Sequence, residues 1–268
     1  MIYIVTAHRN AEDFERTFKS VVSQTMRDFL WVIVDDSSDV TCYRRLINVC
    51  AQDSRVVVIK NIGPQFAGNA RNFGIEYISG LGLSFPLLLT FIDADDVWHE
   101  RFLSETLLVF DTFPNVDMVC FGYNLVWREG YVSSYRFRGS LSLFRVSFDY
   151  PFACLTTTVR LRSTADFRHV FGSGRQINDQ PFFVSFFMDH LDSTLVSPKV
   201  LADYHVGNSS SVSGNKFKVF FHRYRLYRSI YMFSVLRSIA SLFAAAVFGM
   251  RKYRGWVSSL GTRHRSGL

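Results

Sequence analysis

Short apolar strands alternate with amphipathic helices through the first hundred residues, and this rhythm restricts the fold more than any other feature. Residues 2–5, 29–34, 55–60 and 86–92 are mostly apolar or β-branched runs, typical of strands buried on both faces of a parallel sheet. Between them, helices are predicted over residues 11–24, 41–52 and 68–79. The pattern predicts right-handed βαβ units in an α/β sheet, whose ligands bind at the carboxyl ends of its strands.

The pattern is looser in the second part of the chain. Helices are predicted over residues 100–113 and 182–190, and strands over residues 116–123 and 132–137. Residues 207–215 combine Gly, Ser and Asn and are predicted to form a loop or linker. A length of 268 residues fits one such domain with an appendage.

Positive charge is concentrated at the end of the chain. Residues 216–268 carry 11 Lys and Arg and no carboxylate, whereas residues 1–215 carry 19 Lys and Arg against 23 carboxylates. Residues 230–250 are mostly apolar, but Arg237 and three serines interrupt them, so we predict an interfacial helix on an anionic membrane surface. The alternatives are a helix packed on the domain, a membrane span and, last, a nucleic-acid contact. No nucleic-acid partner is expected.

The cellular setting follows from the cysteines and the N-terminus. The four cysteines form no C-x-x-C pair and are too sparse for a disulfide framework. The N-terminal apolar run is shorter than the core of a signal peptide and lacks a basic segment before it. We expect a cytoplasmic protein, peripheral on the cytoplasmic face of a membrane.

Two acidic clusters follow apolar strands. Asp35 and Asp36 come after the second strand, and Asp93, Asp95 and Asp96 come after the fourth. Strand ends of a parallel sheet converge on one crevice, and adjacent carboxylates repel one another unless a cation compensates their charge. Mn²⁺ or Mg²⁺, held by one or two carboxylates and by substrate phosphates, is the natural compensation. Helix capping is the alternative for the first cluster, whereas three aspartates in four residues exceed what a cap needs.

Five segments occur in an order that resembles the family 2 glycosyltransferases of the GT-A fold. They are residues 6–10, 20–25, 34–38 (Val-Asp-Asp-Ser-Ser), 68–74 (Gly-Asn-Ala-Arg-Asn-Phe-Gly) and 93–96 (Asp-Ala-Asp-Asp). The resemblance covers residues 1–100 and implies a Rossmann-like, mostly parallel central sheet with flanking helices, followed by the basic helical extension. It divides the chain into a nucleotide-sugar-binding half (1–100), an acceptor-binding half of the same domain (101–206), the linker (207–215) and the basic aromatic tail (216–268).

The resemblance also implies roles for individual residues. Contacts with the nucleotide sugar are implied for Thr6, Ala7, Asn10, Asp35, Asp36, Arg71, Asp93, Asp95 and Asp96. Metal binding is implied for Asp93, Asp95 and His205, with the choice between Asp95 and Asp96 left open, and a structural role is the alternative for His205. Asp179 matches the catalytic base, although Asn178 stands where the family usually has Glu, and capping of the following helix is its alternative role.

The implied activity is an inverting, metal-dependent sugar transfer. The donor is expected to be a nucleotide diphosphate sugar carrying uridine, and the acceptor a hydroxyl of a glycan or lipid-linked molecule in surface-polysaccharide or cell-envelope synthesis. The alternative, favoured by Asn178, is a non-catalytic nucleotide-sugar-binding or scaffold protein. Another metal-dependent nucleotide enzyme, such as a nucleotidyltransferase, is disfavoured because no Gly-rich, Lys-bearing loop follows the first strand.

Overall fold

A computed structural model describes residues 1–127, 130, 132–173 and 178–206. The predicted linker at 207–215 and the predicted basic tail at 216–268 lie outside the described residues, so the membrane contact stays a prediction. Within the described part of the chain, no helix combines the length and the apolar character needed to cross a bilayer.

Strands and helices alternate through the first half, as predicted, and strands dominate the second. The strands are β1 (Ile2–His8), β2 (Phe29–Asp35), β3 (Val56–Lys60), β4 (Leu87–Phe91), β5 (Val97–Trp98), β6 (Met118–Trp127), β7 (Val132–Tyr135), β8 (Thr157–Leu161) and β9 (Thr194–Val206). The α-helices are α1 (Phe14–Val22), α2 (Val40–Cys50), α3 (Ala67–Ser79), α4 (Phe102–Thr112), α5 (Leu143–Phe148) and α6 (Gln180–Asp189).

All these strands belong to one sheet, in the order β3-β2-β1-β4-β8-β6-β9-β5, with β7 paired to β6. The first four run parallel, so the ends of β2 and β4 lie on either side of the end of β1. Beyond β4 the sheet is mixed, because β8 is antiparallel to both β4 and β6 whereas β9 is parallel to β6. The predicted parallel arrangement therefore holds for the first half, and the second half contributes the antiparallel pairs.

The sequence prediction missed β8 and β9. Strand β8 is a five-residue segment that is buried along its whole length although it carries threonines and Arg160. Strand β9 is long, half-exposed and contains Pro198 with a register shift beside it. Both strands depend on partners distant in sequence, so neither shows the local alternation that would mark a strand.

The core has two layers, one on each face of the sheet. One layer contains Trp31, Trp98 and Phe102, and the other contains Phe91 and the aromatic face of α6. Helix α3 lies close to the sheet at Gly74, where an added Cβ would stand 2.6 Å from Cγ1 of Val5. A side chain at this position would collide with the fully buried Val5 of β1, so the glycine sets the distance between helix and sheet.

Gly74→Ala is expected to lower the free energy of unfolding by about 1–3 kcal/mol, because the extra methyl overpacks a full core. Gly80→Ala is the matched control, since Gly80 ends the same helix with ordinary helical backbone angles and no close neighbour. We expect the control to be neutral or slightly stabilising. Urea denaturation of both variants measures the difference, and equal stability would contradict the packing argument.

Candidate active site

The acidic turn between β4 and β5 is held by helix α1. The hydroxyl of Thr17 donates to the carbonyl oxygens of Ala94 and Asp96, at 3.0 and 2.8 Å. The guanidinium of Arg16 donates to the carbonyl oxygen of Asp95, at 3.0 Å. These contacts fix the backbone of the turn relative to α1.

The three carboxylates of this turn differ in exposure. Asp96 is fully buried, and its Oδ1 accepts a 3.0 Å hydrogen bond from the backbone N–H of His205 on β9. Burial, followed by the charges of Asp93 and Asp95, raises the pKa of the Asp96 carboxyl well above its usual range. Asp93 and Asp95 are partly exposed at the carboxyl end of β4. The turn therefore presents Asp93 and Asp95 to solvent and uses Asp96 to fasten β9.

Arg71 on α3 connects the acidic turn to the segment before α6. Its guanidinium is only 5% exposed, donates to a carboxylate oxygen of Asp93 and donates through Nη1 to Oδ1 of Asn178 at 3.2 Å. It also lies over the ring of Phe171, at 5.2 Å from the centroid. Burial opposes the charged guanidinium, but the Asp93 carboxylate outweighs burial and raises the pKa of Arg71. The arginine thus remains charged beside the candidate base.

Asp179 lies at the N-cap position of α6, with Pro181 in the first turn. Its side chain makes no capping hydrogen bond to the first turn of the helix. Burial raises the pKa of the Asp179 carboxyl, although the nearby charge of Arg71 acts in the opposite direction. The structure therefore places a carboxyl with a raised pKa next to Asn178, which Arg71 ties to the acidic turn.

An aromatic cluster aligns α6 with the strand that leads to the acidic turn. Phe91 on β4 meets Phe171, Phe182 and Phe183 in edge-on contacts, with ring centroids 4.9, 5.4 and 5.9 Å away. Phe171 also stacks on Phe182 at 4.6 Å. Because Phe91 is close in sequence to Asp93, and Phe182 to Asp179, this packing fixes the two carboxylate-bearing segments relative to each other.

The turn after β2 forms a second polar cluster at the same edge of the sheet. Asp35 is buried, and its Oδ1 lies 3.7 Å from Nδ1 of His8 and 3.4 Å from the backbone nitrogen of Ser38. Burial alone would raise the pKa of the Asp35 carboxyl, but the bonds with His8 and Ser38 prevail and lower it. Helix α2 is capped by Asp39, which accepts from the backbone of Cys42 at 2.9 Å. Capping therefore does not explain Asp35.

The neighbouring Asp36 is tied to the end of β3. Its Oδ1 accepts a 2.6 Å hydrogen bond from Nδ2 of Asn61, and its backbone nitrogen donates to the carbonyl of His8. Asn10 has a left-handed backbone (φ 47°) and joins this turn by donating from its backbone to Oγ of Ser38, at 3.1 Å. The ends of β1, β2 and β3 thus converge on a single polar edge, as the sheet topology predicts.

Thr6 and Ala7, both predicted to contact the nucleotide sugar, lie within strand β1. The Thr6 side chain is fully buried, accepts from the indole of Trp31 at 2.9 Å and donates to the carbonyl of Ile92 at 2.8 Å. Ala7 is partly buried and packs against the core. The Thr6 hydroxyl therefore serves the joint between β1, β2 and β4, and its predicted nucleotide contact would have to come from the backbone.

The donor set of the acidic turn is suited to a hard divalent cation with few protein ligands. Among the residues that the structure describes, no three His, Cys, Asp or Glu side chains converge as a complete metal cluster. Such a cation in a nucleotide site needs only one or two carboxylates, because water and phosphate oxygens complete its shell. Asp96 Oδ2 and His205 Nδ1 are buried without a hydrogen-bond partner, and the two residues are joined by the bond from the His205 backbone.

The sequence matches the profile described as "Glycosyl transferase family 2" over residues 2–171, which include both acidic turns and Arg71. The chain belongs to this family. Two curated relatives are similar to its first half. It is 31% identical over 124 residues to the poly(ribitol-phosphate) β-N-acetylglucosaminyltransferase TarP of Staphylococcus aureus, which covers 46% of this chain and 36% of TarP. It is 28% identical over 130 residues to the UDP-Glc:α-D-GlcNAc-diphosphoundecaprenol β-1,3-glucosyltransferase WfaP of Escherichia coli, covering 48% of this chain and 47% of WfaP.

The chain therefore matches between about a third and a half of the length of these curated relatives. Two solved structures share its fold. S. aureus TarS (residues 1–349) in complex with UDP superimposes with a TM-score of 0.64 and 17% identity, over 95% of this chain and 72% of TarS. The mannosyltransferase PcManGT of Pyrobaculum calidifontis, in complex with GDP-Man and Mn²⁺, gives a TM-score of 0.59 at 14% identity, over 99% of this chain and 82% of that enzyme. The predicted GT-A fold is confirmed.

Several residues at the site were not predicted from the sequence. Asn61, the partner of Asp36, follows the third strand directly, so the rule that strand ends converge would have found it. Tyr123 on β6 is buried, and the carboxylates of Asp179 and Asp96 add to burial in raising the pKa of its hydroxyl. Cys154 is buried within reach of the charge of Arg71, and burial raises the pKa of its thiol. No local signal marks Tyr123 or Cys154, since both reach the site through the mixed half of the sheet.

Asp179→Asn is expected to stabilise the protein at pH 8 relative to the unmodified chain. A carboxyl whose pKa is raised by folding loses stability as the pH rises from the unfolded value of 3.8 through the folded one. The gain should therefore shrink towards pH 4. Urea midpoints at pH 4.5 and 8 measure it, with the exposed Asp192→Asn as the control. A gain in stability that is the same at both pH values would show that ionisation of the Asp179 carboxyl does not destabilise the folded protein.

Proposed function

We propose that the protein is an inverting glycosyltransferase that moves a sugar from a uridine diphosphate sugar to a hydroxyl of a glycan or lipid-linked acceptor in cell-envelope or surface-polysaccharide synthesis. One observation carries the proposal. Arg71 bonds Asp93 of the acidic turn and Asn178 beside Asp179, so one buried side chain connects the proposed donor-binding turn with the segment that carries the candidate base. Both curated relatives are glycosyltransferases by name, and the WfaP name specifies UDP-glucose as donor.

The nucleotide would bind along the carboxyl ends of β1, β2 and β3. Asp36 and Asn10 lie at this edge, and the hydrogen bond from the Asn61 amide fixes the orientation of the Asp36 carboxylate. A carboxylate oxygen is a suitable acceptor for the imide N–H of uracil or for a ribose hydroxyl. Asp35 would support this surface through its bonds with His8 and Ser38. The fold relative TarS contains UDP in its solved complex, which supports a uridine nucleotide.

The acidic turn would hold Mn²⁺ or Mg²⁺ against the donor diphosphate. Asp95 is the preferred carboxylate ligand, because it is the second aspartate of the Asp-x-Asp pair and is partly exposed, whereas Asp96 is fully buried and bonded to β9. His205 is the remaining candidate through its unpartnered Nδ1. When bound, such a cation would neutralise charge that develops on the diphosphate leaving group. PcManGT, a relative in fold, has Mn²⁺ with GDP-Man in its solved complex.

Asp179 would act as the general base. Its carboxylate takes the proton of the acceptor hydroxyl, the oxygen forms a bond to the anomeric carbon, and the bond from that carbon to the diphosphate oxygen breaks. This single displacement inverts the anomeric centre and needs no covalent enzyme intermediate. A carboxyl with a raised pKa is a stronger base than an ordinary aspartate, which suits proton removal from a hydroxyl. The positive charge of Arg71 nearby acts against the effect of burial on the pKa of Asp179 and thereby favours the ionised form of the base.

The acceptor would approach from the side of the mixed sheet. Tyr123 stands there with Tyr204, at a centroid separation of 6.2 Å, and Tyr204 is 37% exposed. An exposed aromatic ring suits the apolar face of a sugar. The names of both curated relatives specify phosphate-containing acceptors, one a poly(ribitol-phosphate) and the other a diphosphoundecaprenol-linked sugar. A membrane-bound acceptor would also agree with the predicted contact of residues 216–268 with a lipid surface.

Asp179→Asn is expected to slow sugar transfer by about 10²–10⁴-fold, the usual contribution of a general base, with little change in UDP affinity. In the unmodified chain, the rate should rise with pH through the raised pKa of Asp179, because only the ionised carboxylate accepts the proton. The measurement is UDP release from UDP-glucose and UDP-N-acetylglucosamine, with a panel of glycan and lipid-diphosphate acceptors. UDP binding without turnover in the unmodified chain, under every acceptor, would favour the non-catalytic scaffold instead.

Asp95→Ala is expected to remove the dependence of UDP binding on Mn²⁺ and to weaken Mn²⁺ binding by more than about 10-fold. The physical reason is the loss of the partly exposed carboxylate that would join the cation to the turn. Calorimetric titration of UDP with and without Mn²⁺ measures the effect, and Asp192→Ala, an exposed aspartate outside the site, is the control. Unchanged Mn²⁺-dependent binding in Asp95→Ala would rule out this ligand.

A further inference from the structure

The Gly-Asn-Ala-Arg-Asn-Phe-Gly segment of α3 resembles a nucleotide-contacting motif, yet its described contacts point elsewhere. Nδ2 of Asn72 donates to the carbonyl of Phe171 at 3.0 Å, and the backbone nitrogen of Phe171 donates to Oδ1 of Asn72 at 2.7 Å. The side-chain amide of Asn72 thus both donates to and accepts from the backbone of one residue, 99 positions away in sequence. A paired contact of this kind fixes both position and orientation, because two bonds constrain the same peptide segment.

Gly68 brings the same helix against the next residue of that segment. A Cβ built on Gly68 would lie 2.0 Å from the carbonyl oxygen of Gly172 and 3.1 Å from Cβ of Asn178. Backbone therefore meets backbone at this point, and a side chain at Gly68 would separate α3 from the segment. The bonds between Asn72 and Phe171 therefore require that position 68 carries no side chain.

The anchored end is directly tied to the residue before the candidate base. The backbone nitrogen of Gly172 donates to the carbonyl of Asn178 at 2.7 Å. Asn178 also accepts from Arg71 through its side chain. Helix α3 thus holds Phe171 through Asn72 and holds Asn178 through Arg71. Asp179 is the next residue in the chain after Asn178. The position of the Asp179 carboxylate depends on both anchors.

We propose that Asn72 is a positioning residue for Asp179, acting with Arg71 as a two-point anchor on α3 that sets the candidate base against the acidic turn. The inference rests on the proposed function, because it assigns to Asn72 an effect on the rate of transfer. The same anchor assigns a role to Asn178. Its side-chain oxygen accepts the hydrogen bond from Arg71 without placing a second carboxylate beside Asp179.

The test compares Asn72→Ala with Asn48→Ala, an exposed asparagine on α2 that serves as control. Asn72→Asp is the second variant, since it keeps the oxygen that accepts from Phe171 and replaces the amide donor with a negatively charged oxygen. Hydrogen exchange, followed on peptides covering residues 167–173 and 178–187, reports on the anchor without any need for turnover. We expect faster exchange at Phe171 in Asn72→Ala, a smaller increase in Asn72→Asp and no change in Asn48→Ala.

Kinetics then separate positioning from binding. UDP release from UDP-glucose and UDP-N-acetylglucosamine should fall about 10- to 100-fold in kcat for Asn72→Ala, the scale expected from a displaced catalytic group. The UDP dissociation constant should stay within about twofold, since the side-chain bonds of Asn72 within the described part of the chain go to the Phe171 backbone. In the Asp179→Asn background the same substitution should have almost no further effect, because a positioning residue acts only through the group that it positions.

Each outcome of these experiments either supports or overturns the role of Asn72 in positioning Asp179. Unchanged exchange at Phe171 in Asn72→Ala overturns the anchor. Faster exchange with unchanged kcat shows that the anchor does not position the base, and equal losses of kcat in the presence and absence of Asp179 show a general structural role. Loss of UDP affinity in Asn72→Ala would indicate a donor contact instead. No turnover by the unmodified chain with any donor and acceptor refutes the proposed function and the catalytic part of this inference, while the exchange data still decide the anchor itself.

Discussion

A buried guanidinium joins the two halves of this molecule. Arg71 leaves water almost completely, and removing a charge from water is strongly unfavourable unless partners replace the solvent. Asp93 supplies the opposite charge and Asn178 supplies a neutral acceptor, so the two partners come from opposite halves of the chain. The arginine cannot keep this arrangement if either half moves away. The relative position of the acidic turn and the segment before α6 is therefore fixed by the need to satisfy one charge.

Asn178, the neutral partner of Arg71, affects the electrostatics of the site. Two carboxylates already act on the guanidinium, those of Asp93 and Asp179, and burial raises the pKa of Asp179. A glutamate in place of Asn178 would add a third negative group next to Asp179 and would compete with it for the arginine. Asparagine keeps the hydrogen bond and leaves more of the positive charge to Asp93 and Asp179. The departure from the family pattern is thus compatible with an ionisable base at this position.

The first half of the fold was predictable because its signals are local. Four apolar strands, the helices between them and the acidic turns all lie within segments of a few residues, and the topology of parallel sheets brings their ends together. Asp36, Asp93 and Asp95 were identified in this way, and Asp179 was identified by resemblance. The second half was not predictable to the same degree. Strands β8 and β9 pair with distant partners, and Asn72 acquires its contact from Phe171, 99 residues further on. A contact at such a distance leaves no periodic trace in either segment.

The position of β8 between β4 and β6 has a consequence for synthesis of the chain. Strand β4 is complete at Phe91, but its outer neighbour begins only at Thr157. At translation rates of about 5–20 residues per second, the hydrogen-bonding edge of β4 stays open for roughly 3–13 s after that strand leaves the ribosome. The apolar β4 then offers an open edge for pairing with another nascent chain. Production of this protein should accordingly be more sensitive to crowding of ribosomes on its messenger than the finished sheet, in which β8 covers that edge, would suggest.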